Sequence, residues 1–477
     1  MFQLNFNFEL KSLLRNAWIQ TLCILLPALC LFAAYNGARK VAERQEGTVR
    51  TQMQADSTFT VMLGVLDSVE KGLKTDLPPW QSPQTPSVIG NRYPRVAVMD
   101  VQPLALLATG QSDLYAHTVR PQLYGEATML NFTELASPVQ LLFGSFDLSF
   151  VFVYLLPLII IAFSYNILSV EKEQGSLRLL LSQPVSVVQW LFQKAIIRFL
   201  LLGTIGVASL WLALGLAGVP VGAQAIKIGS VTMLLLAYML CWFFIAALVN
   251  LAGRSSGQNA VVLLAVWVVL VLLLPAVVNQ VANNLYPVPS RALLINELRI
   301  TNVDAEKQAD TILASYYRDH PELMPEADKA ETYLFYKKYL ASQDLIRARM
   351  APLLVQYEAR LKEQQAFTDR LRLASPALLL SDGLNELAGV SSRHYQSYRE
   401  QIVAFANEWR AAFLPKIFKG EPMRRADIDA LPQFVYNAAT VPSHYTANLT
   451  LLLAYAVALA LAALLFFRSI ALERIFS

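Results

Sequence analysis

Apolar stretches of membrane-spanning length alternate with polar segments along this chain. A helix that crosses the hydrocarbon core of a bilayer needs about 20 consecutive apolar residues, and six stretches come close to that length. The pattern therefore predicts an all-α polytopic membrane protein with six transmembrane helices. The stretches cover residues 17–37, 148–170, 195–217, 229–251, 259–281 and 447–467.

The first stretch is the least regular of the six, because it contains Pro27 and Asn36. A secretory signal peptide is the alternative interpretation. Such a peptide ends in small residues that form a cleavage site, and no such site follows Tyr35 through Lys40. We therefore expect an uncleaved first helix.

Two long polar segments separate the first stretch from the second and the fifth from the sixth. In the first segment, apolar residues recur at helical spacing over 39–75, whereas prolines crowd 76–103 and favour an extended link. The second segment carries two apolar stripes at helical spacing, and we expect them to face each other within one helical domain built from both segments. The stripes are Leu345, Ile346, Met350, Leu353, Leu354, Tyr357 and Leu361, and Tyr395, Tyr398, Ile402, Phe405, Trp409 and Phe413.

Ionisable residues are scarce inside the six stretches. Asp147 stands at the start of the second, and Arg198 is expected within about the first turn of the third. Charges within a membrane are costly and usually mark an ion or proton path. Their scarcity indicates that ion coupling is not the energy source.

Composition excludes the soluble globular class, with 55% hydrophobic and 16% charged residues. Lysine and arginine near helix ends favour the cytoplasmic side, and this rule places both termini inside and both long segments outside. The net charge of +4 then reflects topology and not binding to nucleic acid. The basic residues on the inner side are Lys11, Arg15, Lys172, Arg178, Lys194, Arg198, Arg254, Arg468 and Arg474.

Catalytic signatures are missing from the sequence. It has no Gly-x-x-x-x-Gly-Lys-Ser/Thr phosphate loop, no His-Glu-x-x-His and no Cys-x-x-Cys. Its three cysteines, Cys23, Cys30 and Cys241, fall in apolar stretches, so the long segments are not a disulfide framework. Four histidines lie far apart in the long segments. We therefore predict no enzymatic activity, no catalytic residue, and no metal or cofactor site in this chain.

One segment differs from a plain membrane anchor. The second apolar stretch is expected to continue as a helix into a charged turn, where Gly175 permits a sharp bend. A short helix lying across such a turn could receive a push from a soluble ATPase and pass it to two transmembrane helices. An ordinary amphipathic connector is the alternative on spacing alone. The segment reads Glu171, Lys172, Glu173, Gln174, Gly175, Ser176, Leu177 and Arg178.

This segment, continued through Leu181–Ser186 and Lys194, resembles the signature of ABC-2-type transporter permeases, in which Glu-x-Glu-x-Gly-Thr/Ser-Leu leads to Pro-x-Ser. The long segment before the last helix makes the chain similar to the branch of nitrous-oxide-reductase maturation and gliding-motility permeases. Residues 316–323 and 375–389 support that branch. The resemblance implies a type V exporter-like fold and a coupling interface for the ATPase at Glu171 through Arg178. The glutamates there would pair with basic residues of the ATPase.

The resemblance also implies partners and a location. We expect two copies of a cytoplasmic ATPase, which would hold the ATP and magnesium, and a second permease that is identical or a sister subunit. The chain would lie in the bacterial inner membrane, with both long loops in the periplasm and an extracytoplasmic partner protein as a further contact. The expected division is 1–37, 38–147, 148–281 with a coupling loop at 170–192, 282–446 and 447–477.

Three functions remain open from the sequence. The first is the permease half of an ATP-binding-cassette transporter that moves an unknown substrate. The second is mechanotransmission, in which ATP hydrolysis moves the outer domain against a partner and nothing crosses the membrane. The third is a membrane-anchored enzyme with its active site in the long loops, which no recognisable constellation of residues supports.

Overall fold

The computed structural model describes residues 2–73, 78, 81–109, 116–123, 146–176, 187–252 and 254–470. Within these ranges the regular secondary structure is helical apart from one two-stranded antiparallel sheet. Six of the described helices are long and apolar enough to cross a membrane, at the positions that the hydrophobic pattern predicts. The prediction of an all-α polytopic membrane protein is therefore confirmed at this level.

All helices are numbered in chain order, whether or not they can span a membrane. A short amphipathic helix precedes the six spans, and the second of the six is interrupted. The elements are α1 (Phe2–Arg15), α2 (Ala17–Glu70, first span), α4 (Leu148–Glu173, second), α5 (Val187–Leu216, third), α6 (Ala225–Leu251, fourth), α7 (Ser256–Leu285, fifth) and α14 (Tyr445–Ile470, sixth).

The remaining elements come from the two long loops. They are α3 (Pro86–Arg92), β1 (Ala97–Val98), β2 (Thr118–Val119), α8 (Arg291–Lys307), α9 (Ala309–Asp319), α10 (Leu334–Leu371), α11 (Pro376–Leu387), α12 (Ser392–Lys419) and α13 (Arg425–Asp429). We call these elements, together with the end of α2, the loop domain.

The fourth span, α6, lies at the centre of the bundle. It packs against α4, α5, α7 and α14, and its Tyr238 and Trp242 are fully buried. Lipid tails are as apolar as the side chains of the spans, so the hydrophobic effect does not drive the spans together. Packing and hydrogen bonds must hold such a bundle together instead. Two of those hydrogen bonds satisfy backbone groups that a proline has left without a donor.

Pro157 in α4 lies four residues after Val153 and has no N–H to donate to the Val153 carbonyl. The π-helical hydrogen bonds of the stretch Val151–Leu155 end with the Leu156 N–H on the Val151 carbonyl, so the α-helical spacing of four applies from there on. Tyr238 Oη donates to the Val153 oxygen at 2.9 Å. A bare carbonyl within a membrane costs several kcal/mol, so this bond fixes α6 against α4.

Pro275 has the same effect in α7. The helix contains a π-helical stretch, Val268–Leu273, and a π-helix pairs residues five apart. The carbonyl of Leu270 therefore falls opposite Pro275, which has no N–H to give. Ser375 Oγ, at the start of α11, donates to that carbonyl at 2.6 Å. A loop-domain helix is thus anchored in the membrane bundle.

The first span does not end at the membrane. The expected division separates 1–37 from 38–147, with helical spacing also over 39–75, and α2 runs through this point without a break for 54 residues. At 1.5 Å per residue this is about 81 Å, against a hydrocarbon core of about 30 Å. The boundary at 37/38 therefore falls inside one rigid element, and Pro27 does not interrupt it.

One core of the loop domain draws on both loops. Tyr398 Oη donates to the carbonyls of Ala97 and His117 at 3.1 and 3.0 Å, and Trp409 Nε1 donates to the Gly90 carbonyl at 3.1 Å. Phe59 of α2 is buried in the same core. The two loops therefore fold together.

The expectation that the two apolar stripes face each other is wrong. The α12 stripe packs against α2, α3 and the small sheet. The α10 stripe lies in a different core, where Ile346 and Met350 pack against Leu294 and Ala305 of α8. Each stripe packs against elements other than the opposite stripe, and periodicity alone does not say which apolar surfaces meet.

A close contact between α2 and the first loop gives a test of this fold. A Cβ added to Gly37 would lie 2.5 Å from the carbonyl oxygen of Leu106, whereas nothing lies within 4 Å of one added to Gly47 on the same helix. We expect Gly37→Ala to lower the free energy of unfolding by about 1 to 3 kcal/mol through overpacking. Gly47→Ala should leave it unchanged or raise it by up to about 1 kcal/mol, because alanine favours helix.

The measurement is thermal unfolding of both purified variants in detergent. Equal midpoints for Gly37→Ala and wild type would contradict the contact between α2 and the first loop.

Candidate functional site

The charged segment singled out in the sequence lies at the end of α4 away from the loop domain. The sequence predicts a continuous helix there, but the helix is interrupted. Residues 165–168 form a turn before a last helical stretch, Ser169–Glu173. Gly175 follows with φ of +75°, a value that favours glycine because a side chain would be strained. Leu177 and Arg178 lie outside the described residues.

Two asparagines of other spans hold the turn. Asn250 of α6 donates to the Ser164 carbonyl at 2.8 Å and accepts from the Leu168 N–H at 3.3 Å. Asn259 of α7 donates to the Tyr165 carbonyl at 3.2 Å. Side chains thus replace the helical hydrogen bonds that the turn interrupts. The end of α4 is bonded to both of these spans.

Glu171 is held from two sides. Lys194 of α5 lies 2.8 Å from its Oε1, and the Ser176 hydroxyl donates to its Oε2. Ser176 also donates to the backbone carbonyl of Glu171 at 3.2 Å. The carboxylate therefore closes the charged segment on itself and ties it to the third span.

The same lysine continues into a buried ion-pair network. Glu9 of α1 lies 3.4 Å from Lys194 and 2.8 Å from Arg198, and its side chain is 5% exposed. Arg198 also donates to the carbonyl of Phe163 and, at 3.3 Å, to Asn166. Arg198 lies twelve residues into α5, about three turns from its start and deeper than the first turn that we expected. The amphipathic helix α1 is thereby joined to α5 and α4.

Glu173 is bonded to the fifth span. Its two carboxylate oxygens accept from the N–H and the hydroxyl of Ser256 at 2.7 and 2.9 Å. Ser256 is the first residue of α7, after the N-cap Ser255. The free N–H groups and the dipole at a helix N-terminus favour a negative charge. Glu173 therefore fixes the segment to the end of α7.

The segment is anchored and yet open to solvent. Both glutamates are bonded within the chain, while Lys172, Glu173, Gln174 and Gly175 are exposed. Glu171 is bonded to α5 and Glu173 to α7. A partner that presses on the exposed residues would therefore move α4, α5 and α7 together. The expectation that the glutamates meet basic residues of a partner stays a prediction, and the structure gives them internal partners first.

Sequence reasoning missed most of this network. Glu9, Ser256, Asn250 and Asn259 were not among its candidate residues. Lys194 and Arg198 are four residues apart and so lie on one face of α5, a spacing that could have identified them as a pair with a common partner. The polar asparagines at the ends of apolar stretches were the other available signal.

Comparisons with known proteins bear on the loop domain alone. Residues 291–437, less than half of the chain, match the model of a family described as a domain of unknown function, DUF3526. The match begins at α8 and ends shortly before the sixth span. The curated proteins give no match to this chain.

The Glu9–Arg198 pair gives a stability test of the network. Removing one partner of a buried ion pair leaves an uncompensated charge, so Arg198→Met should lower the free energy of unfolding by about 3 kcal/mol. The double variant Glu9→Leu with Arg198→Met should recover much of that loss, because an apolar pair replaces the ionic one.

Arg50→Met is the matched control. The side chain of Arg50 is 69% exposed, and that of its partner Glu46 is 70% exposed. This variant should therefore unfold at the wild-type midpoint. Denaturant unfolding in detergent gives the free energy of unfolding of all three variants. A single variant Arg198→Met as stable as the control would contradict the network.

Proposed function

We propose that this chain is the transmembrane subunit of an ATP-binding-cassette transporter. A separate cytoplasmic ATPase drives it by binding the segment Glu171 through Arg178. One observation carries the proposal: a short exposed turn is bonded through its two glutamates to the third and fifth spans. A push on that turn moves several spans at once, which is what a coupling element must do.

The sequence supports the division of labour in this proposal. The chain has no phosphate loop of its own, so nucleotide would bind to the partner. Two copies of the ATPase would serve a pair of permeases, either identical or sister subunits. The segment and both termini would then lie in the cytoplasm, and the loop domain outside the bacterial inner membrane, in line with the distribution of basic residues.

Within this proposal, the glutamates and the exposed residues have different tasks. Lys172 and Gln174 would contact the ATPase with their exposed side chains. Glu173 is exposed as well, but its carboxylate is bonded to Ser256. Glu171 and Glu173 would pass the motion on to α5 and α7. Loss of a contact residue should therefore release the ATPase, whereas loss of a glutamate should uncouple an ATPase that is still bound.

A second function, mechanotransmission, is supported by the continuity of α2. The same helix crosses the membrane and ends in the core of the loop domain, where Phe59, Met62 and Leu66 are buried. A rigid helix of that length would carry a tilt of the first span directly to the loop domain. The loop domain could then act on an extracytoplasmic partner while nothing crosses the membrane.

The exposed lysine of the segment tests the ATPase interface. We expect Lys172→Glu to reduce co-purification of the ATPase at least about tenfold, since charge reversal at an interface costs a few kcal/mol. The control is Lys227→Glu, an exposed lysine at the other end of the bundle, which should retain the ATPase.

Glu173→Gln belongs in the same experiment and should retain the ATPase but lose transport-linked ATP hydrolysis. Wild-type co-purification and wild-type coupling in Lys172→Glu and Glu173→Gln alike would contradict the proposed interface.

A break in α2 tests the mechanical alternative. Gly47 lies between the membrane and the loop-domain core, with no side-chain neighbour, and proline there would break or kink the helix. If α2 carries the motion, Gly47→Pro should abolish the nucleotide-dependent change in distance between labels at Val435 and Ile226. Both positions are highly exposed, at 79% and 84%.

The measurement is pulsed electron paramagnetic resonance on the complex with its ATPase, in a background without Cys23, Cys30 and Cys241. Gly47→Ala is the control and should keep the wild-type change. A distance change that survives in Gly47→Pro would exclude α2 as the transmitting element.

A further inference from the structure

The junction between the loop domain and the sixth span contains a buried cluster of charges that the proposed function does not use. The helix α11 packs against α6 and α14. At its far end, Asn448 of α14 donates to Asp382 at 2.9 Å, and the N–H of His444 donates to Glu386 Oε1. This cluster therefore binds the loop domain to the first residues of the sixth span.

The carboxylates of the cluster outnumber its guanidinium groups. Arg372 lies 3.0 Å from Asp382, and Arg393 lies 3.0 Å from Asp369. Glu386 is the third carboxylate, with a side chain that is 5% exposed, and its nearest cationic atom is Arg393 Nη1 at 4.0 Å. Both arginines are therefore bonded to other carboxylates, and Glu386 has no hydrogen-bonded cation of its own.

Three buried polar atoms here have no hydrogen-bond partner among the residues that the structure describes: Glu386 Oε2, Arg393 Nη1 and Asn448 Oδ1. Glu386 and Asn448 are 7% and 0% exposed. An ionised carboxylate oxygen can only accept, and the nearest cationic donor, Arg393 Nη1, lies 4.0 Å away, beyond hydrogen-bond distance. A proton on Glu386 Oε2 turns that oxygen into a donor, removes the excess negative charge and leaves Oε1 free to accept from His444.

The pKa of the Glu386 carboxyl is raised on balance. Burial is the largest cause and Asp382 adds to it, against a lowering by the backbone N–H of His444, by Arg393 and by the His444 imidazole. His394, beside Arg393 on α12, does not supply a compensating charge. Burial, together with Arg393 and Lys227 of α6, lowers its pKa to about 4.

We propose that Glu386 is a proton-binding site, and that the proton on Oε2 holds α11 against the start of the sixth span. The ligand is the proton itself. No group of three or more His, Cys, Asp or Glu side chains is placed to hold a metal ion in the described part of the chain. When the proton is lost, a net negative charge remains in a buried cluster, and the junction loosens.

The sign of the pH dependence follows from the raised pKa. A carboxyl whose pKa is higher in the folded protein than in the unfolded chain contributes stability at low pH, and this stability is lost as pH rises through the folded value. The junction should therefore weaken between the ordinary glutamate value of about 4.3 and the higher folded value.

The proton can be observed directly by infrared spectroscopy of the purified full chain in detergent. A protonated carboxyl has a C=O stretch well separated from that of a carboxylate. We expect this band in the wild type below the folded pKa, and its loss in Glu386→Gln, which keeps the shape of the neutral side chain. The wild type should lose the band and several degrees of thermal midpoint together as pH rises, whereas Glu386→Gln should keep its midpoint over that range.

Two further variants make the result decisive. Glu322→Gln, at a carboxylate that is 66% exposed, should retain the band. Asp382→Asn should lower the pH at which the band is lost, because Asp382 raises the pKa of the Glu386 carboxyl, and this variant serves if Glu386→Gln does not fold. The proposal is overturned if the band is unaffected by both changes, or if wild type and Glu386→Gln lose stability in parallel as pH rises. None of these readouts requires the ATPase, so failure here is distinguishable from failure of the proposed function.

Discussion

The structure depends on the satisfaction of backbone carbonyls that prolines leave without a donor. In water such a carbonyl would bond to solvent, but within a bilayer the donor must come from the protein. Tyr238 provides it for Val153 and Ser375 provides it for Leu270. In addition, Trp267 Nε1 donates to a carbonyl of the same π-helical stretch in α4 at 3.1 Å. The irregular positions of the second and fifth spans are therefore the positions where the neighbouring helices are fastened.

This constraint also explains why the loop domain is not a separate body suspended from the membrane. Ser375 begins α11 and is itself fully buried. Gly383 of the same helix allows a close approach to Leu234 of the fourth span. With α2 running from the bundle into the loop-domain core, the two parts are joined by a continuous helix on one side and by a docked helix on the other. Both functions that we propose for the chain need such a connection.

The charged segment illustrates how far a local pattern can be read. Its residue types and the glycine bend were evident in the sequence, and Gly175 does adopt the backbone conformation that favours glycine. The pattern could not identify the partners of the two glutamates. Lys194 is 23 residues from Glu171, Ser256 is 83 residues from Glu173, and Arg198 is 189 residues from Glu9. Contacts at such separations are set by how the spans pack.

The sequence by itself determined the number and the positions of the spans, because a bilayer requires a local property, about 20 apolar residues in a row. It also predicted helical loops, because amphipathic spacing is local as well. The tertiary structure alone decided that the α10 and α12 stripes lie in different cores, and that α2 continues past the membrane. It also placed Glu386 at the junction with the sixth span, where carboxylates outnumber guanidinium groups by one. These outcomes depend on which surfaces meet, and many pairings of apolar stripes satisfy the same one-dimensional pattern equally well.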